Sequence, residues 1–286
     1  MSHVPSPTAT VPGPAGPRPW RAGPSGPSGP SGSLVPGPVL FARYAYPPNA
    51  LGYCGPGDPA TLLGMASEGV DLAGLSQKAA QFEGAWPYLE LIAGCNGISE
   101  PLDRRVVEAY WTGNELVTRV PTSGLIASLD DRFARRAGRL LDSVTAAAPG
   151  GVPQHNFHVF AVYPWLGLLR AGMEGPPLTV LDRCRIRWGL VETITGDRVT
   201  VRSRPLGFDG SHLVLRAEQT ECVRRPVDGI ALGTDLHPGD VVSLHWDWVC
   251  DRLSPAALTW LRYCTGRNLD AVNALSRPGP AAVCDV

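Results

Sequence analysis

The sequence predicts an α+β fold: an N-terminal all-α domain, then a small antiparallel OB-like β-barrel with a C-terminal helix. Three observations carry that reading. Segments with apolar residues at helical spacing, cut by Gly and Pro, run from Phe41 to about Gly172. Beyond "EGPPL" at 174–178 the apolar period changes to two, which marks half-buried strands. The segment "SPAALTWLRYCTGRNLDAVNAL" then returns to helical spacing. With 286 residues the chain has room for two domains, each able to bury a core.

The organisation that follows is a Pro/Gly/Ser-rich tail over 1–38, an α-helical domain over 39–175, a barrel with its helix over 176–276, and a second tail over 277–286. The first tail has too few apolar residues to offset its ordering entropy, and it is expected to be disordered. Its GPS triplets are too few to hold a triple helix.

In the helical domain, "DPATLLGMASEG" places Asp58 as N-cap and Pro59 at the first helical position. Apolar spacing continues from Leu72 to Phe82 and from Trp86 to Ile92, with Gly97 as a stop signal. "PLDRRVVEAYWTG" and "SLDDRFARRAGRLLDSVTAA" supply two more helices, the second with Arg132, Arg135, Arg136 and Arg139 on its wet side. In the barrel, "CRIRWGLVETITGDRVTVRS" is a hairpin turning at Thr195-Gly196-Asp197. "SHLVLRAEQ" and "ECVRRPVDG" are further strands, and "DVVSLHWDW" is a single closing strand. Ser254 caps the last helix, with Pro255 in its first turn.

Charge and cysteine usage exclude several function classes. Lys and Arg number 25 against 26 Asp and Glu, so no global positive field gathers phosphate backbones or anionic lipid. No apolar run is long enough to span a bilayer, and the N-terminus lacks a signal-peptide pattern, so the expected location is the cytoplasm. The seven cysteines form no CxxC pair, and reduced thiols are expected.

Two stretches of the helical domain are chemically suggestive. Cys54 lies in the turn "NALGYCGPGD", where a nearby helix N-terminus would lower a thiol pKa, against the plainer reading of a small buried residue. His155 and His158, three apart in "PQHNFHVF", would share one helix face and could share a metal, against the plainer reading of capping and core packing.

In the barrel, Cys184, Gly189, Val191, Ile194 and the Gly196-Asp197 turn fall in one order. Pro238-Gly239-Asp240, His245, Trp248 and Arg252-Leu253 fall in another. Together they resemble the HypC/HybG/HupF family, small barrel chaperones of [NiFe]-hydrogenase maturation, over residues 182–262. The family carries its cysteine directly after the initiator Met, whereas Cys184 is internal. Trp188 stands where the family has proline, and the segment around 203–229 lengthens the middle of the barrel.

The resemblance implies a transient iron held by Cys184 and His245 at one barrel rim, a maturation scaffold protein as donor and a hydrogenase large subunit as acceptor. At an exposed rim, truncating either residue would cost ~1 kcal/mol or less. The resembled proteins are carriers, and no catalytic constellation stands out. A second reading is an enzyme of the helical domain using Cys54 with His155 or His158. A third is a barrel binding single-stranded nucleic acid through Trp246 and Trp248, with Arg183, Arg185, Arg187, Arg198, Arg202 and Arg204 as a basic ribbon; near-zero net charge argues against it.

Overall fold

The computed structural model describes residues 35–68, 72–133, 145–173, 175–225 and 235–275. Residues 1–34 of the predicted 1–38 tail and the whole predicted tail over 277–286 lie outside these residues, as does most of the arginine-bearing segment after Phe133. The architecture is mixed: a helical N-terminal part, then a sheet and a long helix.

The first helix, α1 (Gly37–Ala50), reaches back into the stretch assigned to the tail and is buried on nearly every side. It carries Pro47 and Pro48 near its end, where the sequence reads as a break. Around it lie α2 (Pro59–Glu68), α3 (Leu72–Ala79), α4 (Trp86–Cys95), α5 (Arg104–Trp111) and α6 (Thr122–Phe133). Asp58 caps α2 as expected, its carboxylate accepting from the Thr61 backbone at 3.2 Å. Asp103 caps α5 in the same way, accepting from the Arg105 backbone at 2.9 Å. A short α7 (His155–Phe157) runs directly into a π-turn over His158–Val162, and α8 (Trp165–Arg170) follows.

The stretch after residue 174 is a corner. Gly175, at φ 83°, turns the chain into α9 (Pro176–Cys184), so Cys184 ends a helix instead of opening the hairpin. The strands begin at Arg187: β1 (Arg187–Thr195) and β2 (Arg198–Ser203) form the expected hairpin, with Gly196 at φ 59°. The lengthened segment folds apart as β3 (Leu206–Phe208) paired with β4 (Leu213–Leu215). After β5 (Gln219–Arg224), the expected single closing strand is two, β6 (Val241–His245) and β7 (Trp248–Arg252), set with His245 opposite Trp248. Trp246 turns them at φ 56°, held by its N–H donating to the Arg183 carbonyl at 2.7 Å and by its ring stacking on Tyr53. The strands close a barrel in the order β1-β2-β5-β7-β6, antiparallel except where β5 meets β7.

The barrel interior is an aliphatic cluster of Val191, Val199, Val201, Val223, Leu236, Val242, Leu244 and Val249. A second, larger core is shared between the two parts. It runs from Phe41, Tyr44 and Trp111 through Cys184, Ile186, Trp246 and Cys250 to Trp260, Leu261 and Cys264 of α10 (Pro255–Ala274). Ser254 caps α10, accepting from the Ala257 backbone at 3.1 Å. The terminal helix, assigned from sequence to the barrel, thus packs into the helical core.

Candidate metal centre

Where the two parts meet, the chain segment 183–186 is clamped by hydrogen bonds from three directions. The Trp246 N–H donates to the Arg183 carbonyl at 2.7 Å. His155 Nε2 donates to the Cys184 carbonyl at 2.9 Å. Asn156 brackets Ile186, accepting from its N–H at 2.7 Å and donating to its carbonyl at 3.0 Å. Gln154 caps α7 from its own side chain and donates to the Trp111 carbonyl at 2.7 Å. The buried run Gln154-His155-Asn156 therefore fastens the helical part to the barrel, since each of these amides would be costly to bury without partners.

This clamp brings His155, Cys184 and His245 together, with their potential ligand atoms all within 4.8 Å of one another. Around a tetrahedral ion such atoms lie roughly 3.5 Å apart, so a contraction of about 1 Å would bring all three to ligand spacing. The two imidazole rings are 5.0 Å apart at 72°, and Trp111 packs against both. All three side chains are buried, at 6%, 4% and 0% exposure in the order named. Cys184 and His245, expected at an open rim, are instead enclosed because α1 lies across β6 and Trp111 roofs the cluster.

His245 is oriented by α1: its Nδ1 donates to the Tyr44 carbonyl at 2.6 Å. Tyr44 is itself fixed by a 2.7 Å hydroxyl bond to Ser243. With the proton on Nδ1, His245 Nε2 carries a lone pair that meets no donor among the described residues, and the nearby Cys184 backbone, which can only accept through its carbonyl, does not satisfy it. An unmet buried acceptor costs about 1–3 kcal/mol. A carbonyl behind one nitrogen and a free lone pair on the other is the arrangement of a metal-ligating histidine. For His155, a carbonyl only accepts, so Nε2 bears the proton and Nδ1 accepts from the Tyr110 hydroxyl at 3.0 Å.

Burial keeps every member neutral. It lowers His155 to about 4. It holds His245 well below the usual imidazole range, aided by the neighbouring His155. Burial likewise pushes the Cys184 thiol up, with Cys54 adding to the effect. Neutral imidazoles are ready ligands, whereas the thiol must lose its proton to bind.

The remaining expected site residues stand apart from this cluster. His158, one helical turn after His155, is not among the side chains that converge on the cluster. The His158 ring packs edge-on against Tyr88 and Tyr163. His155 pairs with barrel residues instead. The Cys54 thiol is pushed up to about 12 by burial, opposite to the lowering that nucleophilic use requires. His155 has both nitrogens engaged elsewhere and does not serve Cys54 as a base.

Two of the six arginines of the expected basic ribbon are buried in ion pairs, while Arg198, Arg202 and Arg204 stay exposed. Arg185 is buried against Asp182 at 2.9 Å, and Arg187 is buried in a bidentate pair with Glu221 at 3.0 and 2.8 Å. Trp246 is buried against Tyr53, and the half-buried Trp248 packs at a steep angle against Tyr46. Among the described residues, no helix is long and apolar enough to cross a membrane.

Fold and site define a two-part α+β protein built around a buried cluster of two histidines and one cysteine. The chain belongs to a family of unknown function, DUF6390, whose model matches residues 33–278. That match spans both the helical part and the barrel. Comparison with curated proteins gave no match, and neither did comparison with solved structures.

Proposed function

We propose that this chain is a cytoplasmic accessory protein of [NiFe]-hydrogenase maturation, with an OB-like, HypC-like barrel that receives an iron fragment from a maturation scaffold and presents it to the hydrogenase large subunit. The observation that carries the reading is the convergence of Cys184 and His245, singled out by two separate sequence patterns and joined in one cluster. The topology supports it too: five strands close the barrel, and the third and fifth of them run parallel, as in an OB barrel. A thiolate with imidazole suits a low-spin iron carrying strong-field ligands. A cavity of about 120 Å³ is lined by Tyr44, Arg104, Glu108, Asp251 and Trp111, the last of which also packs against both histidines.

The test is complementation of a host lacking its own barrel chaperone. Because both residues are buried, near-isosteric Cys184→Ser and His245→Gln replace truncations, and thermal unfolding is recorded on the same proteins. Hydrogenase activity is expected to fall in both, more severely for the cysteine, because a thiolate is the stronger donor. Full activity with well-folded Cys184→Ser protein would overturn the proposal.

A further inference from the structure

The resemblance to maturation chaperones concerns the barrel alone and supplies two donors. The structure adds a third from outside the barrel. We propose that His155 is a protein ligand of a joint His155–Cys184–His245 site for a divalent transition ion, so that metal is held by the helical part and the barrel together. This rests on the reading of Cys184 and His245 as metal donors, and extends it to a residue that the barrel resemblance does not include.

The donor set fixes the class of ion. Two imidazoles and a thiolate, with no carboxylate among them, suit borderline ions such as iron(II), cobalt(II) or zinc(II) and disfavour calcium and magnesium. Three protein ligands leave a fourth position of a tetrahedral shell open, as in sites that exchange a ligand. His245 is already set for the role, its Nδ1 held by the Tyr44 carbonyl and its buried Nε2 meeting no donor among the described residues.

His155 needs one rearrangement. Its Nε2 proton, now shared with the Cys184 carbonyl, must give way to the ion, and a proton must reside on Nδ1. Tyr110 permits this without turning the ring, because its hydroxyl donates to Nδ1 in one tautomer and accepts from it in the other. Tyr110 is thus a positioning residue. The step balances: a divalent ion, the Cys184 thiol and two neutral imidazoles give a bound ion with thiolate, and one proton passes to solvent.

The experiment is titration of the metal-free full chain with cobalt(II), read by thiolate-to-metal charge-transfer absorption, ligand-field intensity and proton release. Wild type is expected to bind one ion with a thiolate band, four-coordinate ligand-field intensity and one proton released. His155→Ala should keep the thiolate band but lose at least tenfold in affinity and change the ligand-field bands. His155→Gln, which keeps a polar side chain for the Cys184 carbonyl, decides the matter if the alanine variant does not fold. Tyr110→Phe should bind roughly 10- to 100-fold more weakly with the thiolate band intact. Wild-type affinity and unchanged bands in a folded His155 variant would overturn the third-ligand assignment and leave the two-donor reading standing. A wild-type chain with no thiolate band, or one whose band survives Cys184→Ser, would overturn both.

Discussion

Glu221 shows how single residues hold the barrel against the acid side of the pH range. Burial alone would raise its carboxyl, but Arg187, Ser203 and Arg183 outweigh that and bring it from 4.5 to about 2. A depressed carboxylate contributes stability that is fully present above its unfolded value and is lost as pH falls through the folded one. Unfolding free energy should therefore drop between pH 4.5 and about 2. The drop attributable to this residue is on the order of 2–3 kcal/mol. Glu221→Gln should flatten that segment of the pH profile. At neutral pH it should also destabilise by about 3–5 kcal/mol, since it leaves the Arg187 guanidinium buried without its counter-charge. Urea titrations of both proteins across this range would check it.

At the metal cluster, His245→Ala should cost roughly 2–5 kcal/mol by chemical denaturation, through the cavity and the orphaned Tyr44 carbonyl. The sequence-based expectation of ~1 kcal/mol assumed an exposed rim and does not hold. Cys184 and His245 were singled out by the two halves of the family resemblance, although Cys184 ends α9 and does not open the hairpin. His155 was legible as a ligand type, but spacing along one helix paired it with His158, and nothing local signals a partner across the fold. Tyr44, Tyr110 and Asn156, which orient the donors, carry no sequence signal at all.

Elements with polar punctuation read well from sequence, and buried ones read poorly. Asp58 and Ser254 mark the starts of α2 and α10 because a side-chain oxygen must satisfy the first free N–H groups. Ser254→Ala should lower stability by about 1 kcal/mol in thermal or urea unfolding, with the site unaffected. By contrast α1 has no polar stripe, being buried on nearly every side, and its Pro47-Pro48 pair disguises it as a loop. The β6–β7 turn was hidden because its positive φ falls on Trp246, where no glycine announces it. The run 183–186 joins α9 to β1, and Asn156 holds it by two backbone bonds. Asn156→Ala should cost about 1–3 kcal/mol, because the Ile186 N–H and carbonyl are left buried. Hydrogen exchange at Ile186 in the variant would report this directly, expected to quicken by orders of magnitude relative to the barrel core.

At the scale of the molecule, the barrel keeps its own aliphatic interior, and a second, larger core joins it to the helical part along one seam. Period reports local structure, whereas the seam depends on which faces meet, and α10 lies on the far side of the barrel in sequence yet packs with the helices. The whole chain should unfold in a single transition, with calorimetric and van't Hoff enthalpies equal. The excised barrel, residues 182–262, should fail to give a cooperative transition of its own, because it would expose the apolar face that Tyr44 and Trp111 cover. The family match across 33–278 agrees with a unit of this extent. The proposed metal lies at this seam, held by sulfur and imidazole. Iron-edge X-ray absorption of the full chain loaded anaerobically with iron(II) tests it most directly: the expected spectrum contains one sulfur scatterer and two imidazole rings, and a shell of oxygen and nitrogen alone, unchanged by Cys184→Ser, would contradict it.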